Sequence, residues 1–158
     1  MLTKFTALAM GVLLSVSAMA ADMATADMAT LTRQAQSGDA AAQFDLAYEY
    51  YQQGNHAKAF EWFTKAAHQG DAQAQYNLGV MYAQGLGVRQ DYHKAFEWFT
   101  KAANQGYAGA QFNLALMYYE GQGVRQNKST AKRYYGQACD HGNQLGCDHY
   151  RRLNQQGY

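Results

Sequence analysis

Proline is absent from the 158 residues. Glycine must therefore supply the turns, and 15 glycines are available for it. Charge of one sign is also lacking. Lys and Arg number 13 against 12 Asp and Glu, a formal +1. Balance of this kind argues against nucleic acid as the main partner. Long hydrophobic runs are missing as well. The one candidate, Leu8 to Met19, is too short to anchor the chain in a bilayer, and no charged stop follows it. Cysteine occurs only twice, at Cys139 and Cys147. None lies near the start of the chain, so nothing there points to lipid attachment.

The start has its own reading. Lys4 precedes the apolar stretch, and Ala18-Met19-Ala20 follows the small-x-small rule of signal peptidase. Residues 1–20 are expected to be a signal peptide, cut after Ala20 or one residue later. The mature chain is then expected in the periplasm or outside the cell. Residues 21–38 read as an arm and a short capping helix. The arm repeats Ala-Asp-Met-Ala-Thr at 21–25 and 26–30. Thr30 or Thr32 is expected to cap a helix through Ala35 or Gln36, and Gly38-Asp39 to break it.

Repetition dominates from 39 to 158. Lys58–Ala67 and Lys94–Ala103 are identical, letter for letter. The units run 39–70, 71–106 and 107–142, with a partial unit at 143–158. Each full unit reads helix A, loop, helix B. The first loop is the tight turn Gln53-Gly54-Asn55. The next two are longer, Gly85 to Asp91 and Gly121 to Asn127. Leu46, Leu78 and Leu114 share one phase of helix A, with Tyr50, Tyr82 and Tyr118 four residues on. Ala47, Gly79 and Ala115 lie beside them. In helix B the series are Ala59, Ala95, Ala131, then Phe63, Phe99, Tyr135, then Ala66, Ala102, Ala138. No single helix pair could bury this seam, so the units must stack. Trp62 and Trp98 are expected in the core against the next helix A. Gly85 and Gly121 should end helix A left-handed, Val88 and Val124 should fold back onto the pair, and Asp91 and Asn127 should cap helix B.

The pattern Ala74-x-x-x-Leu78-Gly79-x-x-Tyr82-x-x-Gly85-x-Gly87-Val88, followed by Asp91-x-x-Lys94-Ala95-x-x-Trp98-Phe99-x-x-Ala102-Ala103-x-x-Gly106, resembles the Sel-one-like repeat. That family is related to the tetratricopeptide repeat. The resemblance covers about Asp39 to Gly142. The first unit departs from it in its short turn, and the last has Asp148 and Tyr150 where Phe112 and Leu114 stood. The family resemblance implies an all-α fold, a right-handed α/α superhelix of antiparallel helix pairs, with helix A lining the concave side. It implies a scaffold or adaptor in protein complexes. An exported, cysteine-rich subgroup is associated with beta-lactam binding or slow hydrolysis, but it carries a cysteine pair in every repeat.

Carried onto this chain, the concave candidates are Phe44, Asp45, Tyr48 and Tyr51 in the first unit. The second offers Tyr76, Asn77, Val80 and Gln84, and the third Phe112, Asn113, Leu116, Tyr119 and Glu120. An asparagine amide both donates and accepts, which suits clamping an extended peptide. The alternative is that Asn77 and Asn113 bond to the neighbouring helix B and lock the stack. Asp45 and Glu120 suggest a ligand bearing a basic residue.

Other chemistry is weakly represented. Gly85-x-Gly87 and Gly121-x-Gly123 lack the third glycine and the preceding strand of a dinucleotide site. No cofactor is implied. Cys139 and Cys147 lie across a glycine turn, and export would favour a disulfide between them. The rival is zinc held by the triplets Cys139-Asp140-His141 and Cys147-Asp148-His149, disfavoured because residues two apart on a helix diverge. His56 and His93 read as solvated, while His68 and His141 read as polar helix ends near the dipole. Ser129 with Lys132 resembles the start of a penicillin-recognising signature, but Ser129 reads as a helix cap. No catalytic residue is assigned. The leading expectation is an exported, non-enzymatic scaffold binding a protein or peptide. Beta-lactam binding or weak hydrolysis, and a self-assembling structural regulator, are the alternatives.

Overall fold

The computed structural model describes residues 27–158. The expected signal peptide and residues 21–26 of the arm lie outside the described residues. Eight helices fill the described part. Helix α1 covers residues 27–36. It is followed by α2 (Ala40–Gln52), α3 (His56–His68), α4 (Ala72–Gln84), α5 (Tyr92–Asn104), α6 (Ala108–Glu120), α7 (Lys128–Asp140) and α8 (Gln144–Gln155). Each helix packs on its neighbours in sequence, giving a solenoid of paired antiparallel helices.

The caps explain the boundaries. Asp39, Asn55, Asp71, Asp91, Asn127 and Asn143 each accept a backbone N–H in the first turn of the helix that follows. The exception is α6, where Tyr107 stands at the cap without a side-chain bond. Gly85 and Gly121 end α4 and α6 at φ of 71° and 74°. Only glycine takes that left-handed position without strain. Two expectations fail here. Neither Thr30 nor Thr32 caps α1, because the chain is already helical at 27; Thr32 instead donates to the Met28 carbonyl one turn back. Ser129 does not cap α7, because Asn127 does.

The seam is buried as the spacing predicts. Leu46, Leu78 and Leu114 have at most 1% of their surface exposed, and the two helix B alanine series (Ala59, Ala95, Ala131 and Ala66, Ala102, Ala138) none. Phe60 and Phe96 lay their edges on Tyr82 and Tyr118 of the following unit. Trp62 and Trp98 are buried as expected. Trp98, however, joins the first core cluster and meets His68 edge-on, so it faces the preceding unit rather than the next helix A. His68 is thereby an aromatic partner and not only a polar helix end. The Lys65 and Lys101 ammonium groups cover the outer faces of the two indoles.

A glutamine series locks the units. Gln43 donates to the Ala35 carbonyl, Gln75 to Ala67 and Gln111 to Ala103, at 3.1, 3.2 and 3.2 Å. All three are buried. Each adds a second donor to a carbonyl at the C-terminus of the preceding helix, which already accepts the N–H of Gly38, Gly70 or Gly106. Their own side-chain oxygens are taken by Gln69, Gln105 and His141. Because Ala35 plays the part of Ala67 and Ala103, α1 stands where a preceding helix B would. At the final junction the same pair of positions holds Cys139 and Cys147, joined as a disulfide.

Candidate functional site

The face built by α4 and α6, with α5 beneath, carries an apolar cavity of about 160 Å³. Val80, Ala83 and Gln84 form one wall. Asn113, Leu116 and Met117 form the other, and Tyr92 and Phe99 close the floor. The three first helices α2, α4 and α6 carry Asp45, Glu49 and Glu120 but no Lys or Arg. The mouth therefore offers apolar surface, the amides of Gln84, Asn113 and Gln122, and a mildly negative surround.

The individual candidates divide into two groups. Phe44, Tyr76 and Phe112 lean on Phe63, Phe99 and Tyr135 of the paired helix B, so much of each ring belongs to the core. Tyr51 packs its ring against His56. Asp45, Gln84 and Glu120 are exposed, as is Tyr48 at 47%. Asn113 and Gln84 line the cavity, whereas Tyr119 is half-buried one turn further along. Asn77 donates to the Gln73 carbonyl of its own helix at 2.9 Å. It does not reach helix B, so the locking role belongs to the glutamines and not to this asparagine.

One local reading needs correction, and the disfavoured zinc arrangement does not form. His56 is not solvated; its Nδ1 is buried without a partner. His141 turns to Gln111 and His149 to the rings of Phe112 and Tyr135, so the two histidines part company. The sulfurs of Cys139 and Cys147 are bonded to each other, which leaves no thiolate for zinc. Ser129 and Lys132 line one cleft of about 590 Å³ between α7 and the end of the chain, but the Lys132 ammonium donates to the Tyr158 carbonyl. No helix among the described residues is long and apolar enough to cross a membrane.

The Sel1 repeat model matches residues 40–71, 72–107 and 108–143. The chain belongs to the Sel1 repeat family. A Sel1 repeat protein from Oxalobacter formigenes is similar at 35% identity, covering 80% of this chain and 98% of that one, with a TM-score of 0.72. A protective antigen of uropathogenic Escherichia coli strains is similar at 36% identity and a TM-score of 0.76. The alignment covers 82% of this chain but 28% of the antigen's length. Helicobacter pylori cysteine rich protein B is similar at 27% identity over 58% of this chain and 68% of its own, with a TM-score of 0.56. No curated protein matches the sequence. This Sel1 repeat chain is thus a helical scaffold of the kind that mediates protein–protein interaction. The glutamine lock is what reading by residue type overlooked. Its signal was the recurrence of Gln43, Gln75 and Gln111 at the repeat period.

Proposed function

We propose that this Sel1 repeat protein is an exported, non-enzymatic adaptor that holds an extended peptide segment of another protein along its first helices. The observation that carries this reading is the apolar cavity between α4 and α6, rimmed by Asn113 and Gln84. A cavity of that size takes one apolar side chain, and the amides can pair with the backbone on either side of it. Asp45 favours a basic residue at the α2 end. Export is supported by the leader-like first residues and by the disulfide, since such bonds persist in oxidising compartments.

The test is a random peptide library displayed against the purified protein, followed by titration of the selected peptides. Replacing Asn77 and Asn113 together by Ala should weaken binding by about 2–4 kcal/mol. Because Asn77 bonds only within its own helix, the thermal midpoint should move little. Unchanged affinity, or a collapse of the midpoint, would remove the amide clamp.

A further inference from the structure

The positions that line the cavity between α4 and α6 recur one repeat further on, on α6, α7 and α8. Their chemistry is changed there. Phe99 becomes Tyr135, Tyr92 becomes Lys128, and Leu116 becomes Arg152. Asn113 becomes His149 and Gln84 becomes Glu120. An apolar floor has turned into a ring of donors.

These groups do converge. The ring of His149 stacks on Tyr135, with centroids 4.7 Å apart, and the Arg152 guanidinium meets His149 Nδ1 at 2.7 Å. Lys128 reaches over the Tyr119 ring at 5.6 Å. Tyr135 itself has none of its surface exposed, yet its hydroxyl has no hydrogen-bond partner. Burying an unpaired hydroxyl costs free energy, and Phe63 and Phe99 fill the same position without that cost. The residue is held in place by packing alone while its donor waits. Burial pushes the phenol up to about 12, so it remains a donor at any physiological pH. Lys128 and Arg152 against Glu120 leave one positive charge in surplus.

We propose that this terminal subsite receives an Asp or Glu side chain of the peptide bound in the groove, which turns aside the His149 ring stacked on Tyr135, pairs with the Arg152 guanidinium so released, and accepts from the Tyr135 hydroxyl. The proposal rests on the groove reading above. A carboxylate is the planar acceptor that a guanidinium fork fits, and a second donor from another helix fixes its orientation. The groove is then graded: acidic near Asp45, apolar at Val80 and Leu116, and basic at Arg152. A peptide carrying a basic residue, an apolar one and an acidic one in that order would be read in a single direction.

The probes are peptides selected on the purified protein and resynthesised with both termini blocked, so that side chains hold their only carboxylates. Changing the acidic residue to its amide should lower affinity about tenfold on the wild type and less than about twofold on Arg152→Gln. Tyr135→Phe should weaken the same peptides about fivefold and raise the midpoint of the free protein by a few degrees. A purely structural tyrosine would change only the midpoint. Peptides weakened by Asn113→Ala but indifferent to Arg152→Gln would leave the groove standing and overturn the subsite. A selection without binders, or peptides indifferent to both changes, would overturn the two together. Binding lost on blocking the C-terminus alone would overturn the side-chain assignment.

Discussion

The junction between α5 and α6 and the junction between α7 and α8 solve one problem in two ways. In the first, Gln111 reaches back eight residues to the Ala103 carbonyl. In the second, Cys147 reaches back eight residues to Cys139 and bonds to its sulfur. The inner lock is enclosed on both sides and can rely on hydrogen bonds that water never reaches. The outer helix is covered on one side only, and Tyr150 is 40% exposed where Leu114 has no exposure. A hydrogen bond there would compete with solvent, whereas a covalent bond does not.

Removing an inner lock should have the largest effect. Gln75→Ala removes the bond to the Ala67 carbonyl and the one from the Gln105 amide, leaving each with a single partner in Gly70, and opens a void between α3 and α4. A loss of about 3 kcal/mol is expected in denaturant unfolding. A loss under about 1 kcal/mol would mean that packing alone holds the units in register. Reducing the disulfide comes next. The nine-residue loop predicts a cost of about 2.6 kcal/mol. Hydrogen exchange should quicken in α8 and stay unchanged in α4 to α6, since repeat stability is local. Uniform quickening would instead mean one cooperative unit.

Exchanging one lock for the other sharpens the comparison. Cys139→Ala with Cys147→Gln rebuilds the inner arrangement at the outer junction. It should recover about 1 kcal/mol of the loss, and no more, because the terminal site is wetter. The smallest effect concerns His149, which occupies the place of Asn77 and Asn113. Burial, then the nearby Arg152, lowers its pKa below the usual 6.5, while Asp148 opposes them. The unfolded chain therefore takes up the proton more readily. Stability is complete above the unfolded value and declines as pH falls through it toward the folded one. Thermal melts should show this decline for wild type and not for His149→Asn, by roughly 1–2 °C.

What the sequence revealed was what repeats and what is local. The 36-residue period, the leucine and alanine series and the caps Asp91 and Asn127 were legible because each depends on neighbours a few residues away. The glutamines were not. A glutamine read by itself is a surface residue, and only stacking makes it a buried one. The direction of Trp98 was hidden for the same reason: an indole on helix B has two neighbouring units to choose between. Asn77 was assigned a choice between ligand and stack, and its amide took a third course, to its own helix. Ser129 was read as a cap although the loop before it already held one in Asn127, and its place in a cleft depends on the end of the chain, which local spacing does not show. Tyr135 read as one more aromatic in a series, and its hydroxyl meant nothing until its surroundings were known.

The glutamine bond spans the turn from helix B to the next helix A and never the glycine loop from A to B. The loop Gln53–Asn55 and the longer loops ending at Asp91 and Asn127 therefore coexist in one stack, since their length does not touch the fastening. Residues 71–106 behave as a cassette with matching ends. A second copy spliced in after Gly106 would present its own counterpart of Gln75 to the Ala103 carbonyl and accept from its own counterpart of Gln105, as Gln111 does with Ala103 and His141. The ruler could be lengthened by one division without recutting either end.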